Sequence, residues 1–142
     1  MKAINPYLNF KGNAEEAFGF YRSVFGGEFL NITRFKDSPE SAHVSAADAN
    51  KLMHISLPLS SGNVLMGTDA VGPMGDQLVV GNNFTISISP DSEAETKKLF
   101  DGLSAGGKIE QPLDKMFWGA YFGMFIDKFG VRWMLNFEMT PA

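Results

Sequence analysis

Side chains that can pass a proton or hold an ion near neutral pH are scarce in this sequence. Of its 142 residues two are histidine, His43 and His54, and none is cysteine. Those counts remove disulfide frameworks, cysteine-based zinc or iron–sulfur sites and cysteine nucleophiles, and any metal site needing three histidines from one chain. His54 stands in an alternating segment: Met53, Ile55, Leu57 and Leu59 share one face, His54 and Ser56 the other. An imidazole there can serve as general acid or base, or it can be held by a hydrogen bond within the sheet. His43 falls in a polar stretch, Lys36 to Asn50, which reads as a mobile exposed loop. Serine nucleophile chemistry has no support, because no GxSxG elbow occurs.

The remaining candidates recognise rather than react. Tyr7 can donate a hydrogen bond to a ligand oxygen. Trp118, followed by Gly119, can form a stacking wall, whereas Trp133 shares parity with Val131, Leu135 and Phe137 and reads as core. Met66 and Met134 fall within strands and can line a cavity or fill gaps. Asp69, ending a strand, is open to either a ligand or a structural role. Asp127, opening Asp127-Lys128-Phe129-Gly130, reads as a turn residue. Arg132 is either an anion contact or an exposed strand end.

The elements that must position these residues follow from the hydrophobic pattern. Ile4 to Phe10 alternates as a strand, with Asn5, Tyr7 and Asn9 on the second face. Asn13 then opens a helix with an apolar stripe of Ala17, Phe20, Tyr21 and Val24, stopped by Gly26-Gly27. Glu28 to Phe35 is a second strand, and Met53 onward with Val64 to Met66 is a hairpin around Ser60 to Asn63. Thr68 to Gly81, with Gly72, Pro73, Gly75 and Gly81, is the best linker.

The same order then begins again. Phe84, Ile86 and Ile88 alternate with Thr85, Ser87 and Ser89. A helix follows Pro90-Asp91 with Leu99, Phe100 and Leu103 apolar, and strands run over Lys108 to Leu113, Trp118 to Ile126 and Val131 to Phe137. Ala14, Glu15, Phe20 and Gly26-Gly27 each recur 80 residues later as Ala94, Glu95, Phe100 and Gly106-Gly107. The expected fold is therefore α+β. A first βαβββ module spans 1–67, a Gly-rich linker 68–81 and a second module 82–142, together forming one structural domain. Each module has a helix for only one sheet face, so two must combine around a shared core or central cavity lined by the semi-polar faces.

Composition narrows the partners. The net charge is −4 and no basic run occurs, which argues against nucleic acid. No apolar stretch approaches the ~20 residues of a membrane span, and the start lacks signal-peptide features. A cytoplasmic protein is expected.

Four segments carry a resemblance over nearly the whole chain. INPYLNFKGNAEEAFGFYRSVFGGE, KLMHISLPL, LMGTD and FWGAYFGMFIDKFGVRWMLNFE resemble the PhnB-like family of the vicinal oxygen chelate superfamily, which includes glyoxalase I, bleomycin-resistance proteins and extradiol dioxygenases. The resemblance implies paired βαβββ modules, a homodimer, and a divalent metal held by His and Glu. The matching ligand positions fall near Asn5 or Tyr7, Leu65 or Met66, Asn83 or Thr85, and at Met134, and none is a histidine or a carboxylate. Thioethers suit a hard divalent ion poorly, so no metal or other cofactor is expected. PhnB-like proteins also carry a demethylubiquinone methyltransferase label, but the sequence lacks a strand–Gly-rich-turn–helix cofactor cradle. The first expectation is a metal-independent protein binding a small apolar or aromatic molecule. Trp118, Met66 and Met134 would wall the cavity, with Tyr7, His54 and Ser56 as polar contacts and Asp69 as a further candidate. A metal-dependent lyase or dioxygenase with atypical ligands, and a non-catalytic sequestering protein, are the alternatives.

Overall fold

A computed structural model of the chain describes residues 1–139, the side chain of Glu40 excepted. It divides into two units, Met1–Val79 and Val80–Ala142, each built as βαβββ. The first holds β1 (Tyr7–Phe10), α1 (Ala14–Phe25), β2 (Asn31–Arg34), β3 (Leu52–Pro58), β4 (Val64–Asp69) and a short α2 (Pro73–Gln77). The second holds β5 (Ile86–Ile88), α3 (Glu93–Ser104), β6 (Lys108–Lys115), β7 (Ala120–Ile126) and β8 (Arg132–Glu138). Sheet A has the order β1-β4-β3-β2 and sheet B the order β5-β8-β7-β6. In each, the first strand runs parallel to the last and the other pairs are antiparallel. The repeat seen in the sequence is thus a repeat of topology. Among the described residues no helix is long and apolar enough to cross a membrane.

One face of sheet A is covered by α1. The helix buries Ala14, Ala17, Phe18 and Tyr21 against Leu8, Phe10, Ile55, Leu57 and Leu65. Each large side chain removed from water here contributes about 1.5–3 kcal/mol. The stripe differs from the expected one, since Phe18 replaces Phe20 as its centre. Gly67 explains the shift: a β-carbon there would lie 2.6 Å from Phe18 Cε1, so only bare backbone admits the ring. Sheet B repeats the device. α3 buries Thr96, Leu99, Phe100 and Leu103, and a β-carbon at Gly123 would lie 2.5 Å from Phe100 Cε2.

The sequence pattern misplaces several details. In β3 the buried set is Leu52, Ile55 and Leu57, not Met53, because the register slips where Thr33 faces His54 but Arg34 faces Leu52. Thr68 and Asp69 complete β4, and α2 occupies the middle of the expected linker. Lys36 to Asn50 contains three short 3₁₀ turns, with Phe35 and Ser38 buried and the Lys36 N–H donating to the Ala49 carbonyl at 2.9 Å. β5 is short, leaving Phe84 outside it and exposed. Trp118 precedes β7 rather than opening it.

α1 starts without a cap of its own, since the Asn13 side chain makes no capping hydrogen bond. Asp69 of β4 supplies one from across the unit. Its carboxylate accepts the Ala14 N–H at 2.9 Å and the Leu52 N–H at 2.8 Å while 3% exposed. Arg34 adds a second tie, donating from both Nη atoms to Glu15 on α1 and from Nη1 to the Asn50 carbonyl. Those hydrogen bonds, and the guanidinium charge behind them, hold the Glu15 carboxyl below its ordinary range. α3 is capped locally instead: Ser92 Oγ accepts the Glu95 N–H, and Glu95 Oε1 accepts the Asp91 N–H.

Asp69→Ala strands two buried N–H groups, so urea denaturation should show a loss of about 3 kcal/mol, with Asp69→Asn intermediate. Gly67→Ala and Gly123→Ala should each cost about 1–3 kcal/mol through displacement of a buried phenylalanine. An unchanged midpoint for either glycine variant would contradict the close approach.

Candidate functional site

The face of sheet A opposite α1 is built from alternate residues of all four strands. Ladder pairing sets Tyr7 beside Met66, Met66 beside Ser56 and Ser56 beside Asn31, forming one row across the sheet. The adjoining positions hold Asn9, paired with Thr68, and His54, paired with Thr33. None of these side chains is a carboxylate, a lysine or an arginine, so the surface is neutral apart from one imidazole. Tyr7 leans diagonally toward β3. Its phenol oxygen lies 3.4 Å from His54 Nδ1, and the two rings are 5.7 Å apart and tilted by 33°. Tyr7 is 45% exposed and His54 half-buried, while Ser56 is 4% exposed. Thr68 turns its hydroxyl inward to the Met53 carbonyl at 2.7 Å. The register slip in β3 leaves His54 in line with Ser56 on this face.

Four of the candidates from this unit therefore share one surface: Tyr7, His54, Ser56 and Met66. Asp69 does not join them. It lies on the α1 side of the sheet with both carboxylate oxygens occupied by backbone N–H groups. His43 stands exposed in a 3₁₀ turn away from any strand.

The uncovered face of sheet B carries a parallel row. Ser87 pairs with Met134, Met134 with Met124, and Met124 with Gln111. Trp118 sits in the tight turn between β6 and β7, where Met116 N–H donates to the Ala120 carbonyl and Gly119 N–H to the Met116 carbonyl. Its ring packs edge-on against Phe117 and, at 5.8 Å, against Phe122 of the same face. Arg132 also belongs to this face and pairs with Glu110, Nη2 to Oε1 at 2.7 Å, with its Nε buried and unpartnered. Asp127 is a turn anchor: Oδ1 accepts the Phe129 and Val131 N–H groups and Oδ2 the indole N–H of Trp133. Phe122, Thr33 and Glu110 were not singled out in the sequence. Only cross-strand pairing brings them to these faces, and a linear pattern carries no such signal.

The register also tests the implied metal site. In sheet A its positions leave Tyr7 beside Met66, since Asn5 Oδ1 accepts the Val64 N–H and Leu65 is buried; in sheet B Asn83 and Thr85 precede β5, and the residue beside Met134 is Ser87. Neither pair contains a carboxylate or an imidazole, and thioethers suit a hard divalent cation poorly. Among the described residues no three His, Asp or Glu side chains converge. The donors present do not fit that ion. The first N–H of α1, where a phosphate would dock after β1, is taken by Asp69.

Comparison with known proteins agrees with the topology. Residues 3–135 match the model of the Glyoxalase/Bleomycin resistance protein/Dioxygenase superfamily. The chain is 34% identical to Protein YjdN of Escherichia coli (strain K12), covering 94% of this chain and 93% of that one. It is similar to the crystal structure of protein PA1353 from Pseudomonas aeruginosa, with 39% identity, a TM-score of 0.80 and coverage of 95% and 96%. The PhnB protein from Bacillus cereus follows at 28% identity and a TM-score of 0.74, with 94% and 98% covered. With two βαβββ units in the same strand order and a family match over nearly its whole length, the chain belongs to the Glyoxalase/Bleomycin resistance protein/Dioxygenase superfamily, among its PhnB-like members.

Proposed function

We propose that the protein binds a small, uncharged, partly aromatic or apolar molecule on its uncovered sheet faces, without the superfamily's usual divalent metal. The observation that carries this reading is the row Tyr7–Met66–Ser56 with His54 beside it. A phenol and an imidazole in mutual reach offer one donor and one acceptor in a fixed relation, next to a polarizable thioether. Met134, Met124 and Trp118 supply apolar and aromatic contact area on the second sheet. His54 is oriented by a phenol rather than a carboxylate, which suits recognition and gives no catalytic triad. Family membership supports a homodimer, and the absence of cysteine fits a cytoplasmic location.

Protein purified without chelator should contain far less than one equivalent of divalent metal by elemental analysis. Stoichiometric metal would overturn the reading in favour of a metal-dependent lyase or dioxygenase with atypical ligands. Light scattering should give about twice the 15.6 kDa chain mass, and a monomer would overturn the dimer.

A panel of small aromatic compounds should yield binders that give saturable ¹H–¹⁵N shifts at the amides of Tyr7, His54 and Ser56. Tyr7→Phe should weaken such binders about three- to tenfold, the worth of one hydrogen bond. His54→Ala should weaken them at least as much. Binding left intact in both variants would remove this face as the site. A bound compound recovered unchanged identifies a sequestering protein. Turnover lost in His54→Ala with binding retained identifies acid–base chemistry at that imidazole.

A further inference from the structure

A separate hollow lies at one end of sheet A. β1 and β4 run parallel side by side and both terminate there, and β3 begins there. Lys11 follows β1, Lys51 precedes β3 and Ala70 follows β4. Beyond the carboxyl ends of parallel strands the chain must turn away, which leaves room for a ligand. Here the room is about 370 Å³, with Lys11, Asp48, Lys51 and Asp76 around a floor of residues 70–72. None of these residues belongs to the uncovered faces described above.

Two close approaches build the walls. Gly12 turns the chain at φ +103°, a conformation that favours glycine, and Lys51 Nζ lies 2.6 Å from where a β-carbon there would stand. A β-carbon at Gly75 would lie 2.5 Å from the Ala70 carbonyl oxygen, so α2 is pressed down onto the floor. The floor is in turn tied to β1, since the Ala70 N–H donates to the Phe10 carbonyl at 2.6 Å.

The charges around this hollow sum to zero but are not all paired with one another. Lys51 and Asp48 neutralise each other at 3.3 Å. Among the described residues Lys11 and Asp76 form no ion pair. One cation and one anion are thus left facing the same polar space. An anionic ligand drawn to Lys11 meets repulsion from Asp76, and a cationic one meets the reverse. A molecule with both charges satisfies both.

We propose that this hollow is a binding site for a small zwitterion of the amino-acid type, its carboxylate at Lys11 and its ammonium at Asp76. The Lys51–Asp48 pair forms a fixed dipolar wall beside it. The proposal stands independently of what occupies the uncovered sheet faces.

The test is a ¹H–¹⁵N NMR titration of the full chain with glycine, β-alanine and γ-aminobutyrate, and with acetate and ethylammonium as single-charge controls. At least one zwitterion should give saturable shifts at the amides of residues 11–12 and 70–76, leaving those of Tyr7, His54 and Ser56 in place. Lys11→Ala and Asp76→Asn should each weaken it about fivefold, as partly exposed charge contacts do. Both positions are exposed, so the variants should keep the parent spectrum elsewhere. Acetate binding as tightly as the zwitterions and indifferent to Asp76→Asn would overturn the proposal in favour of a plain anion site. No saturable shift at residues 70–76 with any of the three zwitterions would remove the site altogether.

Discussion

The Asp69 carboxylate places one oxygen on the first N–H of α1 and the other on the first N–H of β3. A helix leaves several N-terminal N–H groups without partners, and a negative charge beside them is favoured. Burying that charge is costly unless its oxygens are bonded, and both are bonded here. One side chain from β4 therefore holds the helix to the sheet and sets the entry of the strand that carries His54. Everything on the other face follows, because α1 covers only the side from which Asp69 points. Sheet B solves the same problem differently. Its helix is capped by its own Ser92 and Glu95, and its buried aspartate, Asp127, fixes the β7–β8 turn and the Trp133 indole instead.

The two uncovered faces show how far the halves have diverged on one topology. Their equivalent rows read Tyr7, Met66, Ser56, Asn31 in sheet A and Ser87, Met134, Met124, Gln111 in sheet B. Only the methionines Met66 and Met134 are alike. The first face has kept a neutral, hydrogen-bonding character centred on a phenol and an imidazole. The second is richer in sulfur and aromatic area, and it carries the Arg132–Glu110 ion pair. Recognition by shape and polarizability is the chemistry such surfaces offer.

Much of this was legible in the residues. Alternation marked the strands, and the 80-residue recurrence marked the duplication. Leu8 with Phe10 and Tyr7 with Asn9 separated correctly onto two faces because β1 has no irregularity. β3 defeated the same reading, since one extra residue moved Leu52 into the core in place of Met53. The centre of the helix stripe was missed because it depends on Gly67, which lies far along the chain. Asp69 and the partners Thr33, Phe122 and Glu110 needed cross-strand pairing, which no local pattern encodes. Trp118 was displaced from its expected strand by a tight turn, yet its ring still reaches the uncovered face through Phe122.

The edge strand β6 has a further consequence. Its pairing with β7 shifts register twice, Pro112 lacks an N–H, and Lys108, Glu110, Asp114 and Lys115 place charges of both signs along it. A foreign strand laid against that edge would meet a missing donor, a kinked ladder and charges in need of water. Sheet extension is thereby closed off on this side, and growth into cross-β aggregates loses one of its templates. Encounters with other chains are steered instead to the side-chain surfaces, where shape and chemistry can discriminate among partners.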